Sequence, residues 1–455
     1  MESVKKVHFI GIGGISMSGL AEMLHSRGFV VSGSDAKESG TTMRLRELGI
    51  AVSKGHRPDN INKDLDMVVY TAAVKDDNPE IIAAKNLNLH LIDRAQLIGN
   101  MMKGYGCPVC ISGTHGKTTT TSLVADIFLA AGKKPAINVG GIMPSINASF
   151  CTGAEDSPYF ILEACEYSNS FLNFNPAIAV ILNIEEDHLD YFGNINDIRR
   201  SFRQFAENIR PGGLLIIYNG IDSWGELVDG LSCRVITYGL TQGNWQASSI
   251  TYTDEGFASF DCVYNEEVLG RVNLRLRGEH NITNALAACA VATSEGIPFA
   301  FIQEVLYKFD PPKRRFEVKG TVKGICVVDD YAHHPTEIKA TLKAAKNSPH
   351  RKIWCVFQPH TYTRTKLLLN ELAEAFDYAD HVVLLDIYAA REKDKGEIHS
   401  RDLLGLLQKR QIDAHYFSDF LDAQKFLFEC CIHGDMLITM GAGDVYILGE
   451  RMLCT

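Results

Sequence analysis

The residues best suited to chemistry lie in the string Ile111-Ser112-Gly113-Thr114-His115-Gly116-Lys117-Thr118-Thr119. An apolar strand, Val109 to Ser112, runs into it, and a helical pattern from Thr118 to Ala131 leaves it. That order aims backbone N–H groups and a helix N-terminus at one point, which suits a phosphate. Gly113, Thr114, His115, Gly116 and Thr119 shape the cradle. Lys117 is placed to offset charge on the β and γ phosphates of a nucleotide, and the Thr118 hydroxyl to ligate Mg²⁺. The full P-loop pattern carries glycine where this chain has Ile111, so the loop is a shorter GxxGKT form. The competing reading is a glycine-rich turn with an incidental lysine.

Carboxylates and a histidine form a second set. Glu163 and Glu166 follow the predicted strand Tyr159 to Leu162, while Glu185, Asp187, His188 and Asp190 follow Ile178 to Leu182. Loops after the C-terminal ends of parallel strands gather at one sheet edge, so both sets reach the phosphate loop. A hard Mg²⁺ site takes one or two carboxylates with phosphate oxygens and water, which Glu163 and Thr118 supply; His188 is an unusual ligand for such an ion. A solvated acidic turn is the plain alternative for residues 185–190.

The string Gly11-Ile12-Gly13-Gly14-Ile15-Ser16 follows an apolar strand, and Gly33-Ser34-Asp35 ends the next one. Glycines at 11, 13 and 14 bring backbone amides to a pyrophosphate, and Asp35 is placed to accept from a ribose hydroxyl. Ser16 replaces the third glycine of the dinucleotide fingerprint. A nicotinamide dehydrogenase is therefore an alternative, weakened by the separate ATP-type cradle a hundred residues on. Polar clusters recur later, at Gly278-Glu279-His280-Asn281, Arg314-Arg315-Phe316-Glu317, Asp329-Asp330-Tyr331-Ala332-His333-His334-Pro335 and Gln358-Pro359-His360-Thr361-Tyr362-Thr363-Arg364. The last two each lie just past a predicted strand.

The elements that hold these residues alternate short apolar runs with helical patterns, the rhythm of βαβ units on parallel sheets. In the first hundred residues the strands are Val7 to Ile10, Phe29 to Ser32 and Met67 to Tyr70, with helices from Ser16 to Arg27 and Pro79 to Asn86. Residues 254–276 are β-rich and a helix follows from Ile282 to Glu295. Asp310-Pro311-Pro312-Lys313 then breaks the pattern, since paired prolines stop helices and mark connectors. Strands at Ile325 to Asp329, Ile353 to Phe357, His381 to Leu385 and Met436 to Thr439 follow. Three α/β domains are expected, over residues 1–106, 107–311 and 312–455.

The chain has 455 residues, 46% of them hydrophobic, enough for several cores. With 45 basic and 55 acidic residues its formal net charge is −10, the wrong sign for a general nucleic-acid binder. No apolar run is long enough for a membrane span and the first residues carry no signal-peptide core, so the expected location is cytoplasmic. The 12 cysteines are spread at irregular spacing and read as reduced thiols. Cys107 and Cys110 have redox-motif spacing but precede an apolar strand with no second pair.

Taken together, GIGGISMSGLAE, GTHGKTTTT, LNIEEDHLD, GEHNITNALAA, RRFE, DDYAHHPTE, QPHTYTRT and TMGAGD resemble the Mur ligases over nearly the whole chain. The resemblance implies a Rossmann-like N-terminal domain that binds a UDP sugar, a central P-loop ATPase domain with a mixed sheet, and a Rossmann-like C-terminal domain that closes over both. It implies ATP-dependent joining of L-alanine to the lactyl carboxylate of UDP-N-acetylmuramate through an acyl phosphate, in peptidoglycan synthesis. ATP would be a substrate and Mg²⁺ the metal.

Carried onto matching positions, the resemblance gives Lys117 phosphate, Thr118 and Glu163 one Mg²⁺, and His188 a second. Asn281 and Arg315 would contact ATP; Tyr331, His333 and Arg364 would bind the amino acid, with His333 or His334 taking the proton of the amine. A recycling ligase attaching a preformed peptide and a UDP-sugar-binding regulator without ligase activity are the alternatives. Three positions depart from the family pattern. Cys165 and Tyr167 replace an acid and a serine, Thr361 stands where many members have arginine, and Phe202 stands where sibling ligases carry a carbamylated lysine.

Overall fold

A computed structural model describes residues 4–71, 74–390 and 392–454. Three sheets organise it. The first has five parallel strands in the order Ala51–Lys54, Val30–Asp35, Lys6–Ile10, Met67–Tyr70, His90–Asp93. Strand order reverses at Lys6–Ile10, and the crevice of a doubly wound sheet opens beyond such a reversal, where the 11–14 glycines lie. The helices between strands start on local chemistry. Ser39 and Asp93 each form a capping box, and Asn78 caps a helix whose first residue is Pro79. Glu80, fully buried, accepts from Ser34 and Asn60, with His56 Nδ1 at 3.0 Å.

The second sheet has ten strands and is mixed. Cys107–Ser112 lies between Tyr159–Ala164 and Ile178–Ile181, all parallel, so Lys117 and Asp187 follow adjacent strand ends; Glu163, expected just past its strand, is the second-last residue on it because the pairing with Cys107–Ser112 runs on to Ala164. Leu214–Tyr218 and Arg234–Tyr238 extend it; Trp245–Tyr252, Phe257–Tyr264 and Glu267–Arg277 finish it as an antiparallel meander. The β-rich stretch expected from the sequence is this meander. The helix Glu279–Ser294 packs on Lys117–Ala130.

The third sheet has six strands, in the order Glu317–Val322, Ile325–Asp330, Met436–Met440, Ile353–Phe357, His381–Leu384, Asp413–Tyr416, with only the first antiparallel. Segments 331–334 and 358–361 leave the ends of strands flanking Met436–Met440, which brings Tyr331, His333 and His360 together.

The first two sheets share one apolar core. Met101, Met102 and Tyr105 pack in the same cluster as Phe160, Phe171 and Phe202. Gly99 faces the Asn173 carbonyl so closely that an added Cβ would lie 2.2 Å from it. The third sheet has cores of its own, and the side chains it presents to the phosphate loop are polar. Among the described residues no helix is long and apolar enough to cross a membrane. The described cysteines are free thiols, and burial pushes Cys107 up to about 12 and Cys110 higher still, the opposite of a reactive pair.

Candidate active site

The loop after Cys107–Ser112 is a tight cradle. Gly113 and Gly116 have φ of 140° and 81°, and a Cβ at 116 would lie 2.7 Å from Asn284 Oδ1. Asn183 clamps the loop from the neighbouring strand end: its Oδ1 accepts from the His115 amide at 2.7 Å and its Nδ2 donates to the His115 carbonyl at 3.1 Å. The Glu185 amide donates to Thr114 Oγ1 at 2.9 Å. The helix Lys117–Ala130 then starts with no side-chain cap, leaving its positive end to the cradle.

Lys117 Nζ donates to the Gly113 and Thr114 carbonyls and pairs with Glu166 Oε2 at 3.0 Å. Burial works against the ammonium charge, but Glu166 outweighs it and raises Lys117 above the usual lysine range. Glu163, three residues earlier on strand Tyr159–Ala164, instead accepts from the Gly140 amide at 2.6 Å. Gly141, next in the chain, lies against the Thr118 methyl. Thr118 and Glu163 thus meet on the Gly140-Gly141 stretch of strand Ala136–Met143 and offer a hydroxyl and a carboxylate, a hard donor set that fits Mg²⁺. His188 Nε2 lies 3.9 Å from Glu166 Oε1 and 3.7 Å from Asp187 Oδ2, with its ring against Tyr167. Burial lowers its pKa, which keeps it neutral. Tyr167 also donates to Asp190 at 3.0 Å, so the aromatic replacement braces the histidine loop.

Asn281 and Arg315 line one cleft with His115, Gly116 and His280. Asn281 donates to the Arg277 carbonyl at 2.8 Å and accepts from Asn284 at 3.0 Å. Arg315 lies 3.9 Å from Glu337 and over the Tyr331 ring. Its neighbour Arg314 is structural, pinning Asp329 at 2.9 Å and the Gly441 carbonyl at 2.7 Å.

The residues expected to bind the amino acid meet at the edge of the third sheet. Tyr331, His333 and His360 form a chain of edge-on rings 5.4 and 5.6 Å apart. His333 Nδ1 lies 3.0 Å from the Tyr331 carbonyl, which assigns the ring proton to Nδ1 and a lone pair to Nε2. Burial, only partly opposed by Glu337, pushes His333 down to about 4, so it is neutral at pH 7. Arg364 reaches across to the second domain, where its Nε and Nη2 donate to Asp187 Oδ1 at 3.1 and 2.8 Å. Burial would raise Asp187, but Arg364 dominates and holds its carboxyl well below the usual range. Thr361 caps the short helix Tyr362–Leu367, accepting from the Arg364 amide at 3.4 Å. The threonine at this position therefore positions Arg364.

The first-sheet residues come together, but on one another. Gly13 donates to Asp35 Oδ2 at 2.9 Å and Lys37 to Oδ1 at 3.1 Å. The Gly11 amide goes to the Ser34 carbonyl and the Gly14 amide to Gly11. The glycine amides are thus committed internally, and the uncapped start of helix Ile15–Ser26 is the donor surface turned to the crevice.

Two contributors have no role in the sequence analysis, Asn183 and Glu337, and Glu185 stands there only as one of an acidic set within reach of the loop. Burial alone would depress His115, yet Glu185 and Glu337 together raise it to about 9. Glu337 sits in the first turn of helix Pro335–Lys346, and its place in DDYAHHPTE was the available signal.

Comparison with known proteins agrees along the whole chain. Residues 6–105 match the domain described as Mur ligase family, catalytic domain; residues 111–292 match the Mur ligase middle domain; residues 314–443 match the Mur ligase, glutamate ligase domain. A UDP-N-acetylmuramate–L-alanine ligase of Agathobacter rectalis is 51% identical over 448 residues, covering 98% of this chain and 97% of that protein. Its counterpart in Lachnoclostridium phytofermentans is 50% identical over 458 residues, with the same coverage. Among solved structures, the UDP-N-acetylmuramate-alanine ligase of Thermotoga maritima superposes with a TM-score of 0.82 at 30% identity, covering 98% of each chain. A murein peptide ligase of Psychrobacter arcticus gives 0.73 at 26% identity, covering 99% of this chain and 98% of that one.

Proposed function

The chain belongs to the Mur ligase family, and on that premise we propose that it joins L-alanine to the lactyl carboxylate of UDP-N-acetylmuramate, converting ATP to ADP and phosphate, in the cytoplasmic synthesis of peptidoglycan precursors. Residues 1–106 take the UDP sugar, 107–311 take ATP, and 312–455 bring the amino acid. The observation that carries this reading is the meeting of Arg364 with Asp187, six residues past the strand next to the phosphate loop. It puts the residue suited to an amino-acid carboxylate beside the residues suited to phosphate.

In the first step a carboxylate oxygen of the sugar bonds to the γ-phosphorus as the bond to the bridging oxygen breaks and ADP leaves. Two anions must approach each other, so stabilisation of charge in the transition state decides the rate. Lys117 exchanges Glu166 for phosphate oxygens. Gly113, Thr114, His115, Gly116 and Thr119 form the cradle wall, while Asn281 and Arg315 bound the cleft that takes the rest of ATP. Thr118 and Glu163 hold Mg²⁺, with His188 as a neutral neighbour; the ion, when bound, withdraws charge from the transferring phosphoryl group. Helix Ile15–Ser26, with Gly11, Gly13, Gly14 and Asp35 shaping its approach, takes the UDP pyrophosphate.

In the second step the free-base amine nitrogen of L-alanine bonds to the acyl carbon, the bond from that carbon to the phosphate oxygen breaks, and the departing phosphate carries off the amine proton. Arg364 turns its fork from Asp187 to the α-carboxylate, a planar match that lysine cannot make. His333 accepts a hydrogen bond from the amine on Nε2 and so orients its lone pair. A histidine near 4 is too weak a base to hold the amine proton, and it acts by alignment. Tyr331 closes the pocket.

Phosphate release with ATP and UDP-N-acetylmuramate saturating tests the reading. L-Alanine should be preferred, with glycine slower by the ~1–3 kcal/mol one methyl-sized group is worth. Preference for a tripeptide would make the chain a recycling ligase, and no release with all three substrates would leave a UDP-sugar-binding regulator.

A further inference from the structure

Three ligand atoms converge on the seam between the phosphate loop and the third domain. His115, Glu185 and His334 present one atom each, all within 4.8 Å of one another. His115 Nε2 lies 3.4 Å from Glu185 Oε2, about the spacing of two ligands on a tetrahedral ion with bonds of ~2.0–2.1 Å. His334 Nδ1 lies 4.0 Å from the same oxygen. The two imidazole rings are 4.4 Å apart at their centres.

The other nitrogen of each ring is held on an oxygen. His115 Nδ1 faces Glu337 Oε1 at 3.3 Å, and His334 Nε2 faces the Glu186 carbonyl at 3.0 Å. Donation outward to a carboxylate or carbonyl is how metal-binding histidines have their tautomer fixed, leaving the inner nitrogen with its lone pair. His115 Nε2 is buried and makes no hydrogen bond; without a cation the flanking Glu185 and Glu337 keep the ring protonated, so an arriving metal ion displaces the Nε2 proton and takes over the neutralisation of the two carboxylates. His334 Nδ1 has only a 3.4 Å contact from the Thr336 amide, and Glu185 Oε2 accepts from the Thr336 hydroxyl at 2.5 Å.

We propose that His115, Glu185 and His334 form a binding site for a divalent transition-metal ion of the zinc class, separate from the Thr118 and Glu163 oxygens. Two imidazoles and one carboxylate with a fourth position open are a donor set for such an ion, whereas Mg²⁺ calls for oxygen. His115 and Glu185 belong to the second domain and His334 to the third, so the ion ties the phosphate loop to the domain that carries Arg364. The seam between these domains is otherwise polar, and a metal bond across it fixes their relative position more firmly than hydrogen bonds do.

The probe is Co²⁺ alone, titrated into the full chain and followed by its visible d–d absorption, with Zn²⁺ as competitor. One Co²⁺ per chain should bind with the intense band of a four-coordinate ion, and Zn²⁺ should displace it. His334→Ala and Glu185→Gln should each weaken binding more than about 100-fold, and Glu337→Gln by about 10–100-fold as an outer partner. The competing place is the exposed Asp413, which lies 2.7 Å from His381 Nδ1 and 3.1 Å from His415 Nε2; His415→Ala should change nothing. Circular dichroism in EDTA verifies that each variant is folded, and the two ligand variants sit in different domains, so a failure of one leaves the other. No saturable Co²⁺ binding, or binding lost in His415→Ala and kept in His334→Ala, would overturn the site.

Discussion

Arg364 and Asp187 are joined across the domain boundary, with two guanidinium nitrogens converging on a single carboxylate oxygen at 3.1 and 2.8 Å. The third nitrogen, Nη1, lies 3.0 Å from His360 Nδ1. A bond from an ionised group is worth ~1.5–3 kcal/mol. Arg364→Lys, which keeps the charge and loses the fork, should therefore raise KM for L-alanine about tenfold or more while leaving KM for ATP within about threefold. Initial rates with each substrate varied in turn decide it; equal effects on both would remove Arg364 from the amino-acid pocket.

Lys117→Ala should lower the ligation rate by about 10²–10³, the usual cost of one well-placed stabiliser of transition-state charge. UDP-sugar affinity should stay the same, because the first sheet and the phosphate loop are separate structures. Calorimetry for the sugar beside phosphate release for the rate tests both halves. A variant keeping more than a tenth of the rate would show that Lys117 does not act on the transferring group.

Phe202 is fully buried, edge-on to Phe171 at 5.2 Å between centres. The position at which sibling ligases place a lysine carbamate is core here. Activity should be unchanged when dissolved carbon dioxide is removed, and small carboxylates should not raise it. A reversible fall in rate on degassing would reveal a carbamate elsewhere in the site.

Glu80 supplies a pH dependence in the first domain. Burial would raise its pKa, but the nearby His8 ring, 3.8 Å away, and hydrogen bonds from Ser34, Asn60 and His56 outweigh this and lower it to about 2 from 4.5. A depressed carboxylate stabilises the fold above its unfolded value and loses that contribution as pH falls through the folded one. The loss therefore runs from about pH 4.5 down to 2 and amounts to at most about 3 kcal/mol. Hydrogen exchange of strand Lys6–Ile10, measured by mass spectrometry, should accelerate over that window in the wild type and much less in Glu80→Gln. Equal acceleration in both would assign the acid sensitivity to other groups.

What the sequence revealed follows from the range of its signals. Glycines flanking Lys117, with an apolar strand before and a helix after, specify the phosphate loop because every determinant is local. The strand ends bearing Glu163 and Asp187 follow from parallel-sheet geometry. The contacts of Glu337 with His115 and of Asp187 with Arg364 join residues 222 and 177 positions apart in the chain, and no periodicity registers a pair chosen by domain docking. The use of Gly13 by Asp35 escaped notice for another reason: a fingerprint counts glycines, and their amides have more than one possible acceptor.

With the role proposed for Lys117, its pairing with Glu166 would make nucleotide capture an ion exchange. The cradle's cation already has a counter-anion at 3.0 Å, so an arriving phosphate displaces a carboxylate and gains only the difference between the two attachments. Such an exchange would moderate affinity and spare the site a grip on ADP so firm that product departure stalled the cycle. Glu166 already stands 3.9 Å from His188 Nε2, so a phosphate that took Lys117 would leave that carboxylate's charge with the histidine loop alone.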